Sequence, residues 1–370
     1  MSLAALAVCA ASCSKGGQRH RPAVASTATP GPFRPTPGPP AASLRPGALV
    51  ITRGVAAYNA AADARYLVWE SGPSEESDAP AVLVQRDLRS RRTRTLARDV
   101  DTNYGLASTS GWIVYGETVH RPRLVALTHD GSKRIVLSRS PVARLAARGE
   151  AVAWAEDDGA RQRVIVRDMA TGRQWVAADM PRCAHGRCYA LQAVTLADHG
   201  VAFSRGATAP DASLIVRRGF SDPRPSSVRI AHDPQLDLVS SSAGALYYVF
   251  GDGWYRWDFG TSSPRRTRFA ANPPAPLLAY EGGRWFLHAG RPCRVGVVAI
   301  PRAGRRVTVA SASRLRALTG ARRDLCVELE ELQWTGRQAL SAWGVVPAES
   351  EEGHSDEGLV GVVLAGKRLR

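Results

Sequence analysis

The chain has 370 residues, of which 44% are hydrophobic, and a mean hydropathy of −0.19, which are ordinary values for a globular protein. Glycine and proline contribute 34 and 24 residues, which favours a turn-rich fold over a helical bundle, a coiled coil or collagen. No run of about 18 or more apolar residues predicts a transmembrane helix, and the net charge of +16 raises the question of nucleic-acid binding.

The first predicted element is an export signal. Residues 3–12 (LAALAVCAAS) form an apolar stretch that ends in small residues and is too short to span a bilayer. Ala10, Ala11 and Ser12 precede Cys13 in a pattern that resembles the lipobox of bacterial lipoproteins. The resemblance implies a signal peptide over residues 1–12 and lipid attachment at Cys13, which would anchor the protein to a membrane. A secretory signal without a lipid, or a chance alanine-rich start, remains open.

Residues 13–46 are predicted to form a semi-rigid linker that carries the lipid anchor. Eight of the 24 prolines lie between Pro22 and Pro46, a composition that favours extended polyproline conformations and cannot build a core. The linker has no acidic residue, and its basic residues suit an anionic membrane surface. They are Lys15, Arg19, Arg21, Arg34 and Arg45. The globular domain is therefore expected over residues 47–370.

Three kinds of short β-type run then recur in the same order along the domain. The first kind ends in an aromatic residue or a histidine at intervals of 46, 39, 49, 45 and 40 residues: Tyr66–Trp69, Trp112–Tyr115, Ala151–Trp154, Gly200–Phe203, Ala245–Tyr248 and Trp285–His288. The second kind covers residues 81–88, 123–130, 163–169, 213–220, 254–259 and 294–302. The third covers residues 93–97, 134–138, 173–178, 227–231, 266–270 and 305–310. Turn signals separate the second kind from the third, most clearly Asp130-Gly131 and Thr171-Gly172.

A further apolar stretch precedes the first runs, for example at residues 142–147, 190–197 and 275–280, which makes four strands in each repeat of about 40 to 45 residues. This pattern predicts an all-β fold, a β-propeller of four-stranded antiparallel blades, with the aromatic residues between the blades. Six units are clear and a seventh can be assembled from residues 314–364, so seven blades are favoured and six are the alternative. The run Ala48–Arg53 is predicted to pair with the C-terminal blade and close the ring.

Three segments carry a resemblance to a known group of proteins. VIVRDMATGRQW (164–175), VLVQRDLRSRRTRTLA (82–97) and LVALTHDGSKRIVL (124–137) resemble blades of TolB-like and WD-repeat-like propellers, particularly lipoproteins of actinobacterial envelopes. The resemblance implies a propeller outside the cytoplasm. Asp168-x-x-Thr171-Gly172-x-x-Trp175 also resembles the tryptophan-docking repeat of quinoprotein dehydrogenases. That family repeats the motif in most blades, whereas here it occurs once, so neither a quinone nor any other cofactor is predicted.

Four cysteines follow Cys13, an even number that suits an oxidising exterior: Cys183, Cys188, Cys293 and Cys326. They allow three sets of pairings, of which Cys183–Cys188 with Cys293–Cys326 is favoured. The first bond closes a short loop and is expected to add little stability, whereas the second, around about 33 residues, adds roughly 3 to 4 kcal/mol in the chain-entropy model. Zinc binding by Cys183, His185 and Cys188 is an alternative, but no second pair of ligands follows at finger-like spacing. No metal site is predicted.

The sequence contains no nucleophile elbow, H-E-x-x-H helix, P-loop or EF-hand loop. Glu70, Glu117 and Glu156 follow the aromatic residues of their runs by one or two positions. Equivalent positions would place them near one end of the propeller, where paired carboxylates could act as acid and base. The simpler interpretation is that strand ends carry polar residues.

A second candidate is the cluster DGWYRWDF (252–259). In a strand, Trp254, Arg256 and Asp258 would share one face. The other face would carry Tyr255, Trp257 and Phe259. Exposed aromatic rings could stack on sugars or bases, so Trp254 and Arg256 are possible ligand-binding residues, although packing between blades is the favoured use.

The favoured function is a binding or interaction scaffold outside the cytoplasm, without catalysis, anchored to the cell envelope and facing an envelope protein or polymer. The alternative is an extracellular hydrolase or lyase that acts on glycans or peptides through carboxylates such as Glu117 and Glu156. Nucleic acid is not an expected partner, because 46 of the 49 basic residues are arginine, which indicates a GC-rich genome rather than a binding surface. The expected location is a lipid-anchored position at the membrane, with secretion as the alternative.

Overall fold

The computed structural model divides the chain into two units, Met1–Gly31 and Pro32–Arg370, and describes parts of the second. The described residues are 33–36, 47–50, 56–63, 65–72, 80–87, 89–118, 123–140, 142–184, 187–207, 213–221, 224–230, 238–240, 245–250, 253–259, 261–267, 277–281, 284–291, 294–301, 307–311, 313, 325–335, 338–347 and 359–365. The predicted signal peptide, Cys13 and most of the predicted linker lie outside them. Within these ranges, no helix has the length and apolar character needed to cross a membrane.

The described residues form 28 strands. The first fourteen are β1 (Gly47–Val50), β2 (Ala56–Ala62), β3 (Tyr66–Gly72), β4 (Ala81–Asp87), β5 (Thr93–Ser108), β6 (Trp112–Glu117), β7 (Arg123–Thr128), β8 (Arg134–Ser138), β9 (Val142–Arg148), β10 (Ala151–Asp157), β11 (Arg161–Asp168), β12 (Gln174–Pro181), β13 (Cys183–Ala184) and β14 (Arg187–Ala197). The others are β15 (Gly200–Ala207), β16 (Ser213–Gly219), β17 (Ser226–Ile230), β18 (Leu238–Ser240), β19 (Ala245–Phe250), β20 (Gly253–Asp258), β21 (Arg265–Thr267), β22 (Leu277–Glu281), β23 (Arg284–Arg291), β24 (Arg294–Pro301), β25 (Val307–Ala310), β26 (Leu325–Thr335), β27 (Gln338–Pro347) and β28 (Leu359–Ala365).

These strands pair as antiparallel sheets in which neighbours along the chain are neighbours in space. Their orders are β2 to β8, β9 to β12, β13 to β17, β18 to β21, β22 to β25, and β26-β27-β28-β1. Each of the three kinds of run predicted from the sequence falls on a strand, the first on β3, β6, β10, β15, β19 and β23. The prediction of an all-β fold built from short antiparallel strands is therefore confirmed.

The strand β5 differs from its prediction. The sequence placed a run at residues 93–97, but β5 continues for 16 residues and joins two of the expected four-stranded units into one seven-stranded sheet. The pairing of β5 with β6 shifts register between Asp101 and Leu106, and Gly105 has φ +75°. No glycine or proline interrupts residues 93–104, so the composition does not mark an end to the strand, and the chain bends within it at Asp99, with φ +60°, and at Gly105.

The strand β1 pairs with β28 in antiparallel register, from Gly47 opposite Val363 to Val50 opposite Val360. The sequence predicted this pairing of the N-terminal run, Ala48–Arg53, with the C-terminal strands, and the prediction is confirmed for residues 48–50. Residues 51–53 of the predicted run lie outside the described part of the chain. The two ends of the domain are thus held in one sheet by a backbone ladder.

The middle strands of the sheets carry the core. Buried aromatic side chains occupy the positions that the repeat predicted, at Trp69, Tyr115, Trp154, Phe203 and Tyr248, all at most 1% exposed. Trp154, Phe203 and Tyr248 pack across sheets, and the hydrophobic cluster around Trp154, for example, contains residues of β6 and β7 as well as β10 and β11. Burial of one such ring contributes about 1.5 to 3 kcal/mol relative to exposure. The prediction that aromatic residues fill the space between units is confirmed.

Seven strands contact one another in chain order, two of them in the seven-stranded sheet and one in each of the other sheets. These contacts join β2 with β5, β5 with β9, β9 with β14, β14 with β18, β18 with β22, β22 with β26, and β26 with β2. The series therefore returns to the strand where it began.

Residues 33–36 lie within the predicted linker, yet they pack against the domain. Phe33 is only 5% exposed and joins the hydrophobic cluster between the sheets β9–β12 and β13–β17. Thr36 donates two hydrogen bonds to the carboxylate of Asp168, the last residue of β11. The composition of residues 13–46 predicts extended chain, and it does not reveal that one aromatic side chain within it has a place in the core.

Candidate functional site

Glu117 ends β6 and is 7% exposed. Arg123 stands directly opposite on β7 and donates from Nε to its Oε2 at 2.6 Å. Arg134 of β8 donates to the same oxygen. Two guanidinium groups thus converge on one buried carboxylate, which offsets the cost of removing that charge from water. The pKa of neighbouring Tyr115 is raised to about 12, mainly by burial and then by the negative charge of Glu117, with Arg134 opposing.

Glu156 occupies the corresponding place on β10 and is 6% exposed. Arg163 stands opposite on β11, with its Nε 3.0 Å from Oε1 of the carboxylate. The Ser138 hydroxyl, from the neighbouring sheet, donates to Oε2 at 2.6 Å, and Trp154 Nε1 donates to the same oxygen at 3.4 Å. This carboxylate therefore connects two sheets.

Glu70 on β3 is completely buried. The amide of Asn59 donates at 2.6 Å to Glu70 Oε2 and at 2.7 Å to the carbonyl of Thr102. Glu117 and Glu156 both lie two positions after the aromatic residue of their strands, whereas Glu70 lies one position after Trp69, and each glutamate has its own set of partners. What the structure brings together at Glu117 and Glu156 is a carboxylate with arginine, an arrangement suited to holding strands in register.

The cluster on β20 divides between its two faces. Trp257 is fully buried against Ala202, Ile215 and Tyr248, and its Nε1 donates to the carbonyl of Thr261 at 3.2 Å. Tyr255 stacks on Tyr248, with ring centroids 5.2 Å apart. This face packs between sheets, as the sequence favoured.

Arg256, on the other face of β20, donates to Asp258 Oδ1 from Nε at 2.9 Å and from Nη2 at 2.6 Å. Both side chains are about one-third exposed, at 33% and 35%. Trp254 stands opposite Val249 and Thr267 in the ladder, and its side chain lies outside the described part of the structure. The proposed ligand-binding role of Trp254 and Arg256 stays a prediction.

Cys183 on β13 and Cys188 on β14 stand opposite each other and form a disulfide. The favoured pairing of these two residues is therefore present, and both sulfur atoms that the zinc alternative required are used. Cys293 lies outside the described residues, as does the side chain of Cys326 on β26, so their pairing remains a prediction. Among the described residues, no three His, Cys, Asp or Glu side chains are grouped so that they could hold a metal ion.

Sequence reasoning missed a buried polar network around His129, which is 6% exposed. His129 Nε2 lies 2.8 Å from Asp63 Oδ2 and 2.7 Å from the carbonyl of Thr109, and Nδ1 lies 2.7 Å from the amide nitrogen of Gln85. The first two partners only accept and the Gln85 amide donates, so Nε2 carries the proton. Ser108 also donates to Asp63 Oδ2, at 3.0 Å. The network joins turns that are far apart in sequence, which a single run of residues does not reveal.

No protein-family model matches the chain, and no curated protein sequence matches it. Solved structures do match. The β-propeller domain of the Trilobed protease from Pyrococcus furiosus aligns with a TM-score of 0.57 and 8% identity, over 83% of this chain and 95% of that one. A polysaccharide lyase, Uly1, aligns with a TM-score of 0.52 and 9% identity, over 90% of this chain and 92% of that one.

A prolyl endopeptidase aligns with a TM-score of 0.55 and 13% identity, over 80% of this chain, and the aligned region spans 46% of the endopeptidase. The chain thus corresponds to about half the length of that enzyme. TolB from Acinetobacter baumannii gives a TM-score of 0.40 and 14% identity, over 81% of this chain and 80% of that one. This TM-score is too low to support a structural argument. At these identities the likeness concerns the fold alone. The chain has a β-propeller fold.

Proposed function

We propose that the domain is a closed ring of seven four-stranded blades. The sheets support seven units when the long strand β5 is counted as the last strand of one blade and the first of the next. The first strands of those units contact one another in a series that ends where it starts. The pairing of β1 with β28 supplies the fourth strand of the last blade. Six blades would leave one of the seven first strands without a unit.

We further propose that this propeller is a binding or interaction scaffold of the cell envelope rather than a catalyst. The observation that carries the proposal is the state of the two candidate catalytic carboxylates. Glu117 and Glu156 are buried and paired with arginine, so each stabilises its sheet and neither is open to a substrate. The scaffold is held outside the cytoplasm by a lipid on Cys13, and its partner is an envelope protein or polymer.

The localisation is tested with Cys13→Ala in the producing cell. We expect this variant to leave the membrane fraction and appear in the medium, while Cys9→Ala, the matched control, stays with the membrane. Retention of the Cys13→Ala protein by the membrane would contradict lipid anchoring.

The scaffold function is tested with purified protein, insoluble envelope polysaccharide and a panel of soluble glycans and peptides. Co-sedimentation measures binding, while released reducing ends, ultraviolet absorbance of unsaturated sugars and free amines measure turnover. We expect binding without turnover in the wild type and in Glu117→Gln/Glu156→Gln. Turnover by the wild type would overturn the scaffold proposal.

The alternative function is an extracellular hydrolase or lyase that acts on glycans or peptides. It is kept because propellers of the same fold occur in a polysaccharide lyase and a prolyl endopeptidase. The same assay separates the two functions. Turnover that is lost in Glu117→Gln/Glu156→Gln, while circular dichroism shows this variant to be folded at the assay temperature, would favour the alternative.

A further inference from the structure

The segment Phe33–Thr36 contacts the domain through an aromatic pocket. Phe33 is the first Phe, Tyr or Trp in the sequence and the next is Tyr58. Its ring stacks on Trp175, with centroids 5.8 Å apart and planes at 19°, and lies 5.2 Å from Phe220. Trp175 and Phe220 meet edge to face at 5.6 Å. These two rings form the walls of the pocket that Phe33 fills.

The pocket is built at the seam between two sheets. Trp175 lies on β12, whereas Phe220 directly follows β16. The guanidinium of Arg218 lies 5.0 Å from the centre of the Trp175 ring, and its Nη1 donates to the carbonyl of Ala177 at 2.6 Å. These contacts hold Trp175 from the domain side and do not involve Phe33, and a side chain held in this way loses less entropy on binding.

A second set of contacts holds the other end of the segment. Asp168, only 2% exposed, accepts at Oδ2 from the backbone N–H and from the hydroxyl of Thr36, both at 2.7 Å. The carbonyl of Thr36 accepts from the N–H of Glu150 at 3.1 Å. Both backbone polar groups of Thr36 are therefore paired with the domain, as they are in peptides that bind by backbone recognition.

The turn after β4 provides an internal comparison. Asp87 accepts at Oδ1 from the N–H groups of Arg89 and Ser90, and its Oδ2 accepts from Arg65 of the same sheet. Asp168 likewise accepts at Oδ1 from the N–H groups of its own turn, but its Oδ2 has only the distant Thr36 among the partners described. The second oxygen of Asp168 is thus directed to a residue 132 positions earlier in the chain.

The residues of this pocket form the motif Asp168-x-x-Thr171-Gly172-x-x-Trp175, which occurs once in the sequence. Gly172, with φ +76°, makes the turn that separates the carboxylate from the indole. We propose that Asp168, Trp175 and Phe220 form a binding site for an extended Phe-x-Pro-Thr peptide, and that Phe33–Thr36 of the same chain is its resident ligand.

The contacts define the chemistry of the ligand. An aromatic ring fills the pocket, and a proline keeps the backbone extended between the aromatic residue and the threonine. The hydroxyl residue, three positions after the aromatic residue, donates two hydrogen bonds to the carboxylate. Arg34 is exposed, so that position tolerates any side chain. A phosphate on the threonine would meet the negative charge of Asp168 and prevent binding.

Hydrogen exchange on the full-length protein tests the contact in place. The Thr36 amide is expected to exchange at least about tenfold more slowly in the wild type than in Phe33→Ala, because loss of the ring contact lets the segment separate from Asp168 and exposes this amide to water. Equal rates in the two proteins would overturn the proposal. Arg34→Ala is the matched control and should retain the slow exchange.

A labelled peptide, GPFRPTPG, corresponding to residues 31–38, tests whether the site recognises the segment as a ligand. In full-length Phe33→Ala/Thr36→Ala the resident segment is weakened, so we expect this protein to bind the peptide saturably. In the wild type the peptide must compete with the resident segment, so we expect it to bind at least about tenfold more weakly. Addition of Asp168→Asn to the double variant should abolish binding, and circular dichroism establishes that this protein is folded. Equal binding of the peptide with alanine in place of its phenylalanine would overturn the proposal.

The mass in solution decides whether the ligand comes from the same chain. A monomer by light scattering in both the wild type and Phe33→Ala is expected. A dimer that dissociates in Phe33→Ala would mean that a second copy supplies the segment, and would overturn the intramolecular assignment.

Discussion

At the scale of single residues, the ion pairs of Glu117 with Arg123 and of Glu156 with Arg163 follow from strand register. Glu117 stands opposite Arg123, and Glu156 stands opposite Arg163. In each pair, the glutamate and the arginine lie the same number of residues from the hairpin turn that joins their strands. That spacing is visible in the sequence, and it could have identified the pairs. The second arginine at Glu117, Arg134, comes from β8, and no local spacing gives it.

The substitution Glu117→Gln removes the charge that two arginines share. We expect a loss of about 1 to 3 kcal/mol in the free energy of unfolding, since hydrogen bonds to charged groups are worth this much and the arginines are partly solvated. Asp179→Asn is the control, because its pair with Arg161 is about half exposed on both sides, at 50% and 45%, and water screens such a pair so that it contributes little to stability. Urea unfolding measures both, and equal effects would contradict the structural role of Glu117.

The carboxyl of Asp168 provides a test against pH. Burial opposes its ionisation, but hydrogen bonds from the backbone of Thr171 and from the side chain and backbone of Thr36 outweigh burial and lower its pKa. A lowered pKa in the folded state means that the resulting stability is complete above the ordinary aspartate pKa of about 3.9 and is lost as the pH falls through the lowered value.

Thr36→Val removes the hydroxyl donor and keeps the backbone donor. The variant should therefore be less stable than the wild type by about 1 kcal/mol at pH 7, and the difference should shrink below about pH 4 as Asp168 is protonated in both proteins. Thermal unfolding across pH measures the difference. A difference that does not change with pH would contradict the role of the ionised carboxylate.

At the scale of strands, the sequence predicts the order of the elements well, because the apolar periodicity and the turn residues of each repeat are local. The turns at Gly131 and Gly172, with φ of +80° and +76°, are where the sequence placed them. The continuity of β5 was not predicted, because nothing in its composition marks where one unit passes into the next. The docking of Phe33 was not predicted either, because its partners lie more than 140 residues away.

The bend of β5 places Tyr104 against β6 and leaves no room for a side chain at Gly116. A Cβ there would lie 2.5 Å from Tyr104 Cβ and 2.8 Å from the carbonyl oxygen of Asp101. Gly116→Ala should therefore cost about 1 to 3 kcal/mol through overpacking. Gly111→Ala, where no atom lies within 4 Å, is the matched control. Comparable melting temperatures for the two variants would contradict the close approach of β5 to β6.

At the scale of the whole molecule, the ladder between β1 and β28 joins residues more than 300 positions apart. Contacts of such separation form late and slow the folding of a domain, because the intervening chain must first be ordered. In the proposed ring, the last blade lacks its fourth strand until β1 returns to it. Stability of the whole domain should therefore depend on four residues at its beginning.

Two proline substitutions test this dependence. In an edge strand, alternate N–H groups point toward the neighbouring strand and the others point away from it. Ala48 and Leu49 are adjacent in β1, so a proline at one of these positions removes a hydrogen bond of the ladder and a proline at the other does not. We expect one variant to lose about 1 kcal/mol or more and the other to remain close to the wild type. Differential scanning calorimetry measures both. Two variants that melt together at the wild-type temperature would contradict the pairing.

The order of contacts along the chain has a mechanical consequence. Phe33 and Thr36 precede β1, and both are attached to the domain, one by its ring and the other by Asp168. Tension applied at the N-terminus, as from an anchor while the domain holds a partner, therefore reaches the aromatic pocket and the carboxylate first. The β1–β28 ladder carries no load until those contacts release. The short docked segment thus protects the join between the two ends of the domain from pulling forces.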